Sequence, residues 1–445
     1  MKKFLIIFLI LLVVSFSYAD GNLTVYNGDF GLYNETFELD LRRGVHDNYS
    51  LKKVPTKIDT GSISIYPENY RRRIDILEQN YDYDLVNMNK LIDKLVGSEV
   101  EFLTKEGKQY KGKLVSAYGS NILLKKNDKY ISIDTNEIRE FLFSKQTDLI
   151  IEPTLSWKIK SDVSRDVDFK ISYLMNDINW NAKYNLNLND DETKAVLSSW
   201  IMLKNRSGKD YNEVDLQLMA GDVKKVSESR QKPLRTRMMA DTAQREKVSE
   251  EKISEYHLYT VERPVTINDK QNKEIPLFNP VEINVNKKLT YNISQNNKDV
   301  RVSMEFKNSD NNNLGISLPA GVVSVYKKDK REKSQFLGED SIDHTPKNEM
   351  VSVNIGNAFD VIGETELQSR VKLSDGVYKY IYKVTLKNRK EESAEVVAIY
   401  NRSSYMTLVN SDIKVQDPKS RNLRFNVYLK PDEEKSFTFT IKNAY

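Results

Sequence analysis

The sequence predicts a mainly β protein, built from antiparallel, immunoglobulin-like β-sandwich domains with an inserted helix and a small SH3-like or Sm-like β-barrel. Three observations carry this prediction. Residues 167–221 contain four runs in which apolar and polar side chains alternate, as Val167, Phe169 and Ile171 do. A period of two places one set of side chains on one face of a strand. Similar short runs, separated by turn residues, come before and after this stretch, and one segment has helical spacing instead.

Composition fits folded domains with sizeable cores. Apolar residues make up 39% and charged residues 30% of the 445-residue chain, a length suited to two or three domains. The chain contains no cysteine. This excludes thiol catalysis and metal sites built on cysteine.

Residues 1–19 have the three parts of a secretory signal peptide. Lys2 and Lys3 form a positive start, an apolar run follows, and Ser17 and Ala19 are small residues at the cleavage positions. The alternative is a transmembrane anchor, but the apolar run is short for a span. We therefore expect cleavage after Ala19, export to the periplasm or the cell exterior, and no membrane span in the mature chain. Cleavage removes two lysines from a formal charge of +4, so nucleic-acid binding gains no electrostatic support.

The N-terminal third predicts a β-sandwich interrupted by an insertion. Residues 20–83 read as short strands joined by turns, and residues 146–164 return to strand character and are expected to complete this sandwich. Residues 84–145 are the insertion. Apolar side chains recur at helical spacing from Asp84, a potential cap, to Gly97, a suitable left-handed stop. Five short strands follow and predict the small barrel.

Residues 165–445 predict a C-terminal β-sandwich domain. Its strands alternate clearly, for example over residues 300–306 and 437–441. Residues 224–255 differ, because they are polar, mixed in charge and poor in β-branched or aromatic side chains. They predict a mobile loop or a partly helical excursion. The segment is interpreted as a solvated loop, with a docking loop or a protease-sensitive tether as the alternative.

The search for chemistry finds one polar cluster. Three histidines stand far apart in the sequence: His46, His257 and His344. His344 lies in GEDSIDHTP with Glu339, Asp340 and Asp343, and several carboxylates could hold a hard cation. A hydrogen-bonded turn between strands is the favoured interpretation. No nucleophile elbow, zinc-binding helix motif or phosphate-binding loop is present in the sequence, so no catalytic, cofactor-binding or metal-binding residue is predicted.

The three tryptophans allow two interpretations. Trp157, Trp180 and Trp200 all lie in alternating runs. Together they could form a platform on which sugars stack. Their position in strand patterns favours core packing instead.

Several longer segments resemble a known family. These are YLMNDINWNAKYNLNL, LKNRSGKDYNEVDLQLMAGDV, YHLYTVERPVTINDKQNKEIPLF and FLGEDSIDHTPKNEMVSVNIGNAFDVIGE. They are similar to the bacterial domain-of-unknown-function 4139 family, which also forms the C-terminal half of the mucoidy-inhibitor-A-like proteins. The resemblance implies an all-β protein, secreted or in the envelope, with no accepted catalytic residues. This chain departs from the mucoidy-inhibitor type, because the helix and barrel stand where those proteins have a long coiled coil.

Together these features predict an exported, non-enzymatic structural or protein-interaction module of the bacterial cell envelope. Its expected partners are envelope proteins or polymers, which would contact sheet edges and the 224–255 loop. The first alternative is a protein that binds carbohydrate or another envelope polymer through exposed aromatic side chains. The less favoured alternative is a hydrolase with unidentified carboxylates.

Overall fold

The computed structural model describes residues 21–83, 88–143, 149–221, 223, 225, 248–253, 256–295 and 297–444. The first strands, in chain order, are β1 (Asn22–Tyr26), β2 (Phe30–Leu41), β3 (Gly44–Lys52), β4 (Ser64–Pro67), β5 (Ile74–Asp82), β6 (Glu99–Thr104), β7 (Gln109–Tyr118), β8 (Asn121–Lys126), β9 (Lys129–Asp134), β10 (Ile138–Phe143) and β11 (Thr154–Ser161). Helix α1 (Met88–Lys94) lies between β5 and β6.

The later part of the chain is also built from strands. They are β12 (Arg165–Asn176), β13 (Ile178–Leu188), β14 (Lys194–Asn205), β15 (Tyr211–Ala220), β16 (Val248–Ile253), β17 (Tyr256–Val261), β18 (Val265–Ile267), β19 (Asn272–Asn284), β20 (Asn286–Asn292), β21 (Asp299–Lys307), β22 (Gly321–Lys328), β23 (Ser334–Ile342), β24 (Met350–Ser374), β25 (Val377–Asn388), β26 (Ala394–Asn401), β27 (Met406–Ser411), β28 (Asn422–Leu429) and β29 (Glu434–Ala444). The predicted mainly β class, with several sheets of the sandwich type, is confirmed.

The described residues belong to two compact units. Unit 1 takes them from Met1–Trp180, Leu203–Lys252 and Leu258–Lys273, and unit 2 takes them from Asn181–Met202, Ile253–His257 and Glu274–Tyr445. Segments of unit 1 therefore alternate with segments of unit 2 along the chain.

The largest sheet of unit 1 has the order β16-β17-β15-β1-β2-β12-β4, with β18 also on β15. β12 pairs with β2 along its whole length, from Arg165 opposite Leu41 to Asn176 opposite Phe30. The predicted inward residues of β12, from Val167 to Tyr173 at every second position, are all buried. β1 pairs in parallel with β15. This sheet thus combines strands from before and after residue 165.

A smaller sheet of unit 1 has the order β3-β11-β5. β11 is antiparallel to both neighbours. Residues 154–161, within the segment expected to complete the N-terminal sandwich, are therefore the central strand between two strands of residues 20–83.

The inserted segment contains the predicted helix and strands but no closed barrel. α1 begins at Met88 and ends at Lys94, inside the predicted span of 84–97, whose first four residues lie outside the described part. Gly97 has φ +94°, the left-handed conformation expected of a helix stop.

The five strands of the insertion form an open sheet in the order β10-β6-β7-β8-β9. A closed barrel would require β9 to pair with β10. The prediction of a barrel is corrected on this point. Ile92 of α1 and Leu95, the residue after it, belong to the core of this sheet, so the helical segment covers apolar surface of the open sheet.

Unit 2 contains two sheets, ordered β19-β14-β13-β22-β23 and β27-β29-β25-β24-β21-β20-β26-β28. The predicted alternation in β21 and β29 is confirmed, since Val300, Met304, Phe437, Phe439 and Ile441 are all buried. Two apolar clusters form its core.

Two sequence predictions fall largely outside the described residues. The signal peptide, residues 1–19, lies outside them, as does most of the predicted loop at 224–255. Within that loop, Val248–Ile253 forms strand β16, so the loop prediction is wrong at this end. Ser249 and Glu251 are exposed there, as expected on a polar edge strand, which explains why the pattern resembled a solvated loop. Within the described residues, no helix is long and apolar enough to cross a membrane.

Candidate functional surfaces

The GEDSIDHTP segment forms the end of β23 and the turn after it. Glu339 accepts a hydrogen bond from the Ser324 hydroxyl at 3.1 Å. Asp340 accepts from the backbone N–H groups of Asn354 and Ser341, both at 2.9 Å. Glu339 therefore links β23 to β22, and Asp340 links β23 to β24.

His344 completes that turn through its ring. Its Nδ1 accepts the backbone N–H of Ala320 at 3.1 Å. Next to it, Leu318 and Thr345 form an isolated bridge with two hydrogen bonds of 2.9 Å. No three His, Asp or Glu side chains of the described residues are grouped so that they could hold a metal ion. The geometry favours the hydrogen-bonded turn over the cation site.

The other two histidines have separate surroundings. His46, on β3, places Nε2 3.2 Å from the carbonyl oxygen of Arg43. Its ring packs edge-on against Tyr49, with 6.4 Å between ring centroids. His257 is half-buried on β17.

Two of the three tryptophans lie in the core of unit 1. Trp157 and Trp180 are each 1% exposed. Trp157 Nε1 donates to Gln79 Oε1 at 2.9 Å, and Trp180 Nε1 donates to the carbonyl of Met219 at 3.1 Å. Trp200 is half-buried on β14. Trp157 and Trp180 offer no ring face to a sugar, so the core interpretation fits both.

Unit 1 contains a buried cluster that sequence reasoning missed, which we call the Lys209 cage. Its members are Lys209, Glu35 and the three tyrosines Tyr33, Tyr173 and Tyr211. The Lys209 ammonium lies 4.6 Å from the centre of the Tyr33 ring, 6.0 Å from that of Tyr173 and 5.9 Å from that of Tyr211. Lys209 Nζ also donates to the Tyr173 hydroxyl at 3.2 Å and lies 3.4 Å from Glu35 Oε1. The Lys209 and Glu35 side chains are only 14% and 15% exposed.

The cage is assembled by the large sheet of unit 1. Tyr33 lies on β2 directly opposite Tyr173 on β12, and Tyr211 begins β15. Gly208, with φ +81°, makes the turn that brings Lys209 over the rings. Burial, with the Glu35 charge as a second cause, raises the pKa of Tyr173 well above its usual value. Because a cation beside aromatic faces and a carboxylate is well stabilised, the cage fixes the β14–β15 connection to the sheet.

Comparison with protein-family models identifies the family of this chain. The model for a domain of unknown function, DUF4139, matches residues 169–445, more than half of the 445-residue chain. The chain belongs to the DUF4139 family. A search of curated proteins found no match to it. Tyr173, Lys209 and Tyr211 lie in the DUF4139 region, whereas Tyr33 and Glu35 precede it. The cage therefore joins the family region to strands outside the match.

The DUF4139 region contains a groove of about 600 Å³ in unit 2, at the ends of β13, β14 and β22. Its charged walls are paired with one another. Lys194 lies 2.7 Å from Glu282, and Lys328 lies 2.6 Å from Glu332. The groove is thus lined by charges that neutralise each other.

Next to this groove, Glu192 bridges two lysines. Its carboxylate oxygens lie 2.6 Å from Lys287 Nζ and 2.8 Å from Lys327 Nζ. Burial alone would raise the pKa of Glu192, but hydrogen bonds from both lysines outweigh it and lower the pKa. Glu192 is therefore held as a carboxylate, which suits a structural bridge better than a proton donor.

A second groove, of about 400 Å³, lies in unit 1, N-terminal to the DUF4139 match. Asp82 and Glu152 are on its wall. Asp82 accepts from the Ser156 hydroxyl at 3.0 Å, and Glu152 lies 3.9 Å from Lys53. Asp82 is thus paired within the wall, and Glu152 is paired with a lysine next to it.

The small open sheet has one apolar edge strand, β10, with sequence IREFLF. Phe141 stacks on Phe102 with 4.6 Å between centroids and contacts Phe143 at 5.3 Å. Leu142 and Phe143 remain 49% and 37% exposed. Sequence reasoning identified this strand but treated it as part of a closed barrel. The run Phe-Leu-Phe breaks strict alternation, and this was the available signal of an apolar edge.

Proposed function

We propose that this DUF4139 protein is an exported, non-enzymatic β-sandwich protein that serves as a protein-interaction module of the bacterial cell envelope. The observation that carries the proposal is the β10 edge. A partner would add an extended segment to this edge, because main-chain donors and acceptors of an edge strand can pair with another chain.

The C-terminal end of β10 is less guarded than the opposite edge of the same sheet. Natural edge strands are protected by charges, short length or bulges. β9 begins at Lys129 and ends at Asp134, and the Lys125 ammonium stands 5.9 Å from the ring of its Tyr130. β10 carries the paired charges of Arg139 and Glu140, 2.8 Å apart, and a register shift near its start, but it ends in the apolar run Phe141–Phe143. Within residues 88–143, its pairing is with β6 on one side alone. An apolar edge open to pairing is the property of a docking strand.

The non-enzymatic part of the proposal is supported by the electrostatics of the carboxyl groups. A general acid needs a carboxyl whose pKa is raised toward neutrality. The described carboxyls with a resolved pKa shift are all shifted downward, namely Asp191, Glu192, Asp329, Glu364 and Glu433. Hydrogen bonds or ion pairs hold each of them as an anion. Their environments favour structural roles.

Export is supported by the sequence of residues 1–19, with its positive start, apolar run and small residues before Ala19. Sequencing the N-terminus of the protein from a cell fractionation tests this part by itself. A mature N-terminus at Asp20 in the exported fraction is expected. A cytoplasmic chain with residues 1–19 intact would contradict export.

The interaction is tested by in-cell cross-linking of the tagged protein, with mass spectrometry of the captured proteins. Leu142→Lys places a charge on the edge strand and is expected to abolish capture of a discrete partner. Val115→Lys is the matched control, because Val115 is 38% exposed on the central strand β7 of the same sheet. Both variants must retain the circular dichroism spectrum of the parent. Equal capture by all three proteins would remove β10 from the proposal.

Polymer binding is the second candidate, and one observation favours it. Tyr378, Tyr380 and Tyr382 form a half-buried row along β25, with successive ring centroids 6.4 Å apart. Aromatic rings of this kind can stack on sugars. Calorimetric titration with envelope glycans tests it: saturable binding that is lost in Tyr380→Ala would support polymer binding, and the absence of heat would exclude it.

A further inference from the structure

A pair of opposed lysines stands near the end of the long β24–β25 hairpin of unit 2. Lys379 on β25 lies directly opposite Lys442 on β29. Directly opposite residues of antiparallel strands project from the same face with their side chains close together, so like charges there destabilise the sheet. Among the described residues, neither ammonium lies within 4.0 Å of a carboxylate. Within the described part of the chain, this positive pair therefore has no carboxylate in ion-pair contact.

The lysines of β25 show that this lack of compensation is local. Lys387, Lys383 and Lys379 are four residues apart and share one face of the strand. Lys387 lies 3.0 Å from Glu364 and 3.9 Å from Glu434. Lys383 has Glu366 directly opposite on β24.

Beyond Lys383, toward the hairpin turn, Lys379 meets Lys442. Asp375 in the turn pairs with Lys372 at 2.6 Å and with neither of these two lysines. The stripe is thus neutralised at its base and positive where Lys379 faces Lys442.

The same tip carries exposed apolar side chains. Val371, directly opposite Lys379, is 44% exposed, and Leu373, two residues further along β24, is 52% exposed. Val409, on the edge strand β27, is also exposed. Lys442 pairs with Thr407 on that same strand. Two adjacent cations therefore stand beside exposed apolar side chains near the end of this hairpin.

We propose that the end of this hairpin, with Val371, Lys379 and Lys442 on one face and Leu373 exposed beside them at a register shift, docks on an anionic lipid surface; it is called here the hairpin tip face. The lysines would contact the lipid phosphates, while Val371 and Leu373 would enter the boundary between headgroups and acyl chains. The apolar side chains favour lipid over a soluble polyanion, because a polyanion offers them no apolar environment. Lipid phosphates lying between Lys379 and Lys442 would reduce the repulsion between the two positive charges.

Vesicle co-sedimentation tests the proposal. The protein is produced without residues 1–19, because their apolar run would bind vesicles by itself. Binding is measured at about 0.1 M salt, where surface charges still act over roughly 10 Å. We expect sedimentation with vesicles that contain phosphatidylglycerol and none with pure phosphatidylcholine vesicles. Equal binding to both compositions, or to neither, would overturn the proposal.

Two sets of variants separate charge from apolar contact. Lys379→Gln/Lys442→Gln is expected to weaken partition roughly 30-fold, since each lysine near an anionic surface contributes about 1 kcal/mol. Leu373→Ser is expected to weaken partition at least about tenfold, because it removes an apolar side chain that would be buried in the lipid on binding. The control Lys330→Gln/Lys333→Gln removes the same charge from an exposed turn outside the face and should change little.

Folding and ligand identity are controlled separately. Removing opposed like charges should leave the melting temperature of Lys379→Gln/Lys442→Gln unchanged or raised, so lost binding would not reflect lost structure. Heparin serves as a soluble polyanion. Binding to heparin that is sensitive to Lys379→Gln/Lys442→Gln, without binding to phosphatidylglycerol vesicles, would overturn the lipid assignment.

Discussion

The Lys209 cage offers the sharpest test of how the sheet of unit 1 is held together. Replacing Lys209 by Met keeps most of the side-chain volume and removes the charge. Glu35, which is 15% exposed, then loses the cation 3.4 Å away. Breaking a buried ion pair from one side costs about 3–5 kcal/mol, and the residual exposure places this pair at about 3 kcal/mol.

The partner substitutions give a thermodynamic cycle. Glu35→Gln leaves the ammonium among three rings and the Tyr173 hydroxyl, so we expect a smaller loss of about 1.5 kcal/mol. Lys209→Met/Glu35→Gln removes both charges and should cost less than the sum of the single variants. The expected coupling energy is about 2 kcal/mol, as for residues in one network.

Urea unfolding followed by tryptophan fluorescence measures these losses. A Trp200→Phe background leaves Trp157 and Trp180, both in the core of unit 1, as the reporters. The denaturant slope should stay constant while the midpoint falls. A loss below about 0.5 kcal/mol for Lys209→Met, with no coupling to Glu35, would refute the reasoning, because the pair would then behave as a solvated surface salt bridge.

Three further outcomes are expected. Hydrogen bonds from Lys298 and then Lys387 lower the pKa of Glu364 to about 2. The Glu364 carboxylate therefore stabilises the fold at pH values above its ordinary pKa, and this contribution is lost as the pH falls toward 2. Glu364→Gln should flatten the pH dependence of the unfolding free energy between about pH 4.5 and 2 in urea titrations. A fragment of residues 165–445 should be unstable compared with residues 21–445, because β12 and β15 lose their neighbours β2 and β1; limited proteolysis measures this. Gly363→Ala should cost about 2 kcal/mol or more in thermal unfolding, because a Cβ there would overlap the Tyr291 ring.

A different result would contradict each of these three expectations. An unchanged acid profile for Glu364→Gln would mean that its lysine contacts are screened by solvent. A protease-resistant 165–445 fragment would show that the family region folds without the N-terminal strands. A wild-type melting temperature for Gly363→Ala would mean that the Tyr291 ring moves at little cost.

The sequence predicted best where a single strand determines the pattern. Val167 to Tyr173 alternate because β12 has one face against the core, and their burial follows from that periodicity alone. Gly97 was predictable for a similar reason, since a helix stop needs a left-handed residue and glycine adopts that conformation without strain.

Features that depend on distant pairing could not be predicted in the same way. The Lys209 cage needs rings from β2, β12 and β15, and nothing near Lys209 in the sequence indicates that a lysine in a turn will be buried. The parallel pairing of β1 with β15 joins segments almost two hundred residues apart along the chain, as with Asn22 and Asp215. Strand β16 was missed because an edge strand with charged side chains has the composition of a loop.

The candidate surfaces illustrate the same limit. The apolar strand β10 was visible in the sequence, but its status as an edge depends on whether the sheet closes. In the structure the sheet stays open, and Ile92 and Leu95 from the preceding segment pack in its core. The opposed lysines Lys379 and Lys442 become significant only once the register of β25 on β29 is known.

The central claim, that the protein is an interaction module that binds through β10, is tested most directly by site-specific photo-cross-linking in living cells. A photoreactive phenylalanine analogue replaces Phe143 at the end of β10 or, as the control, Tyr118, which is 89% exposed at the end of β7. The account predicts one discrete cross-linked protein from position 143 and none from position 118. Identical products from both positions, or no protein product from position 143, would contradict it.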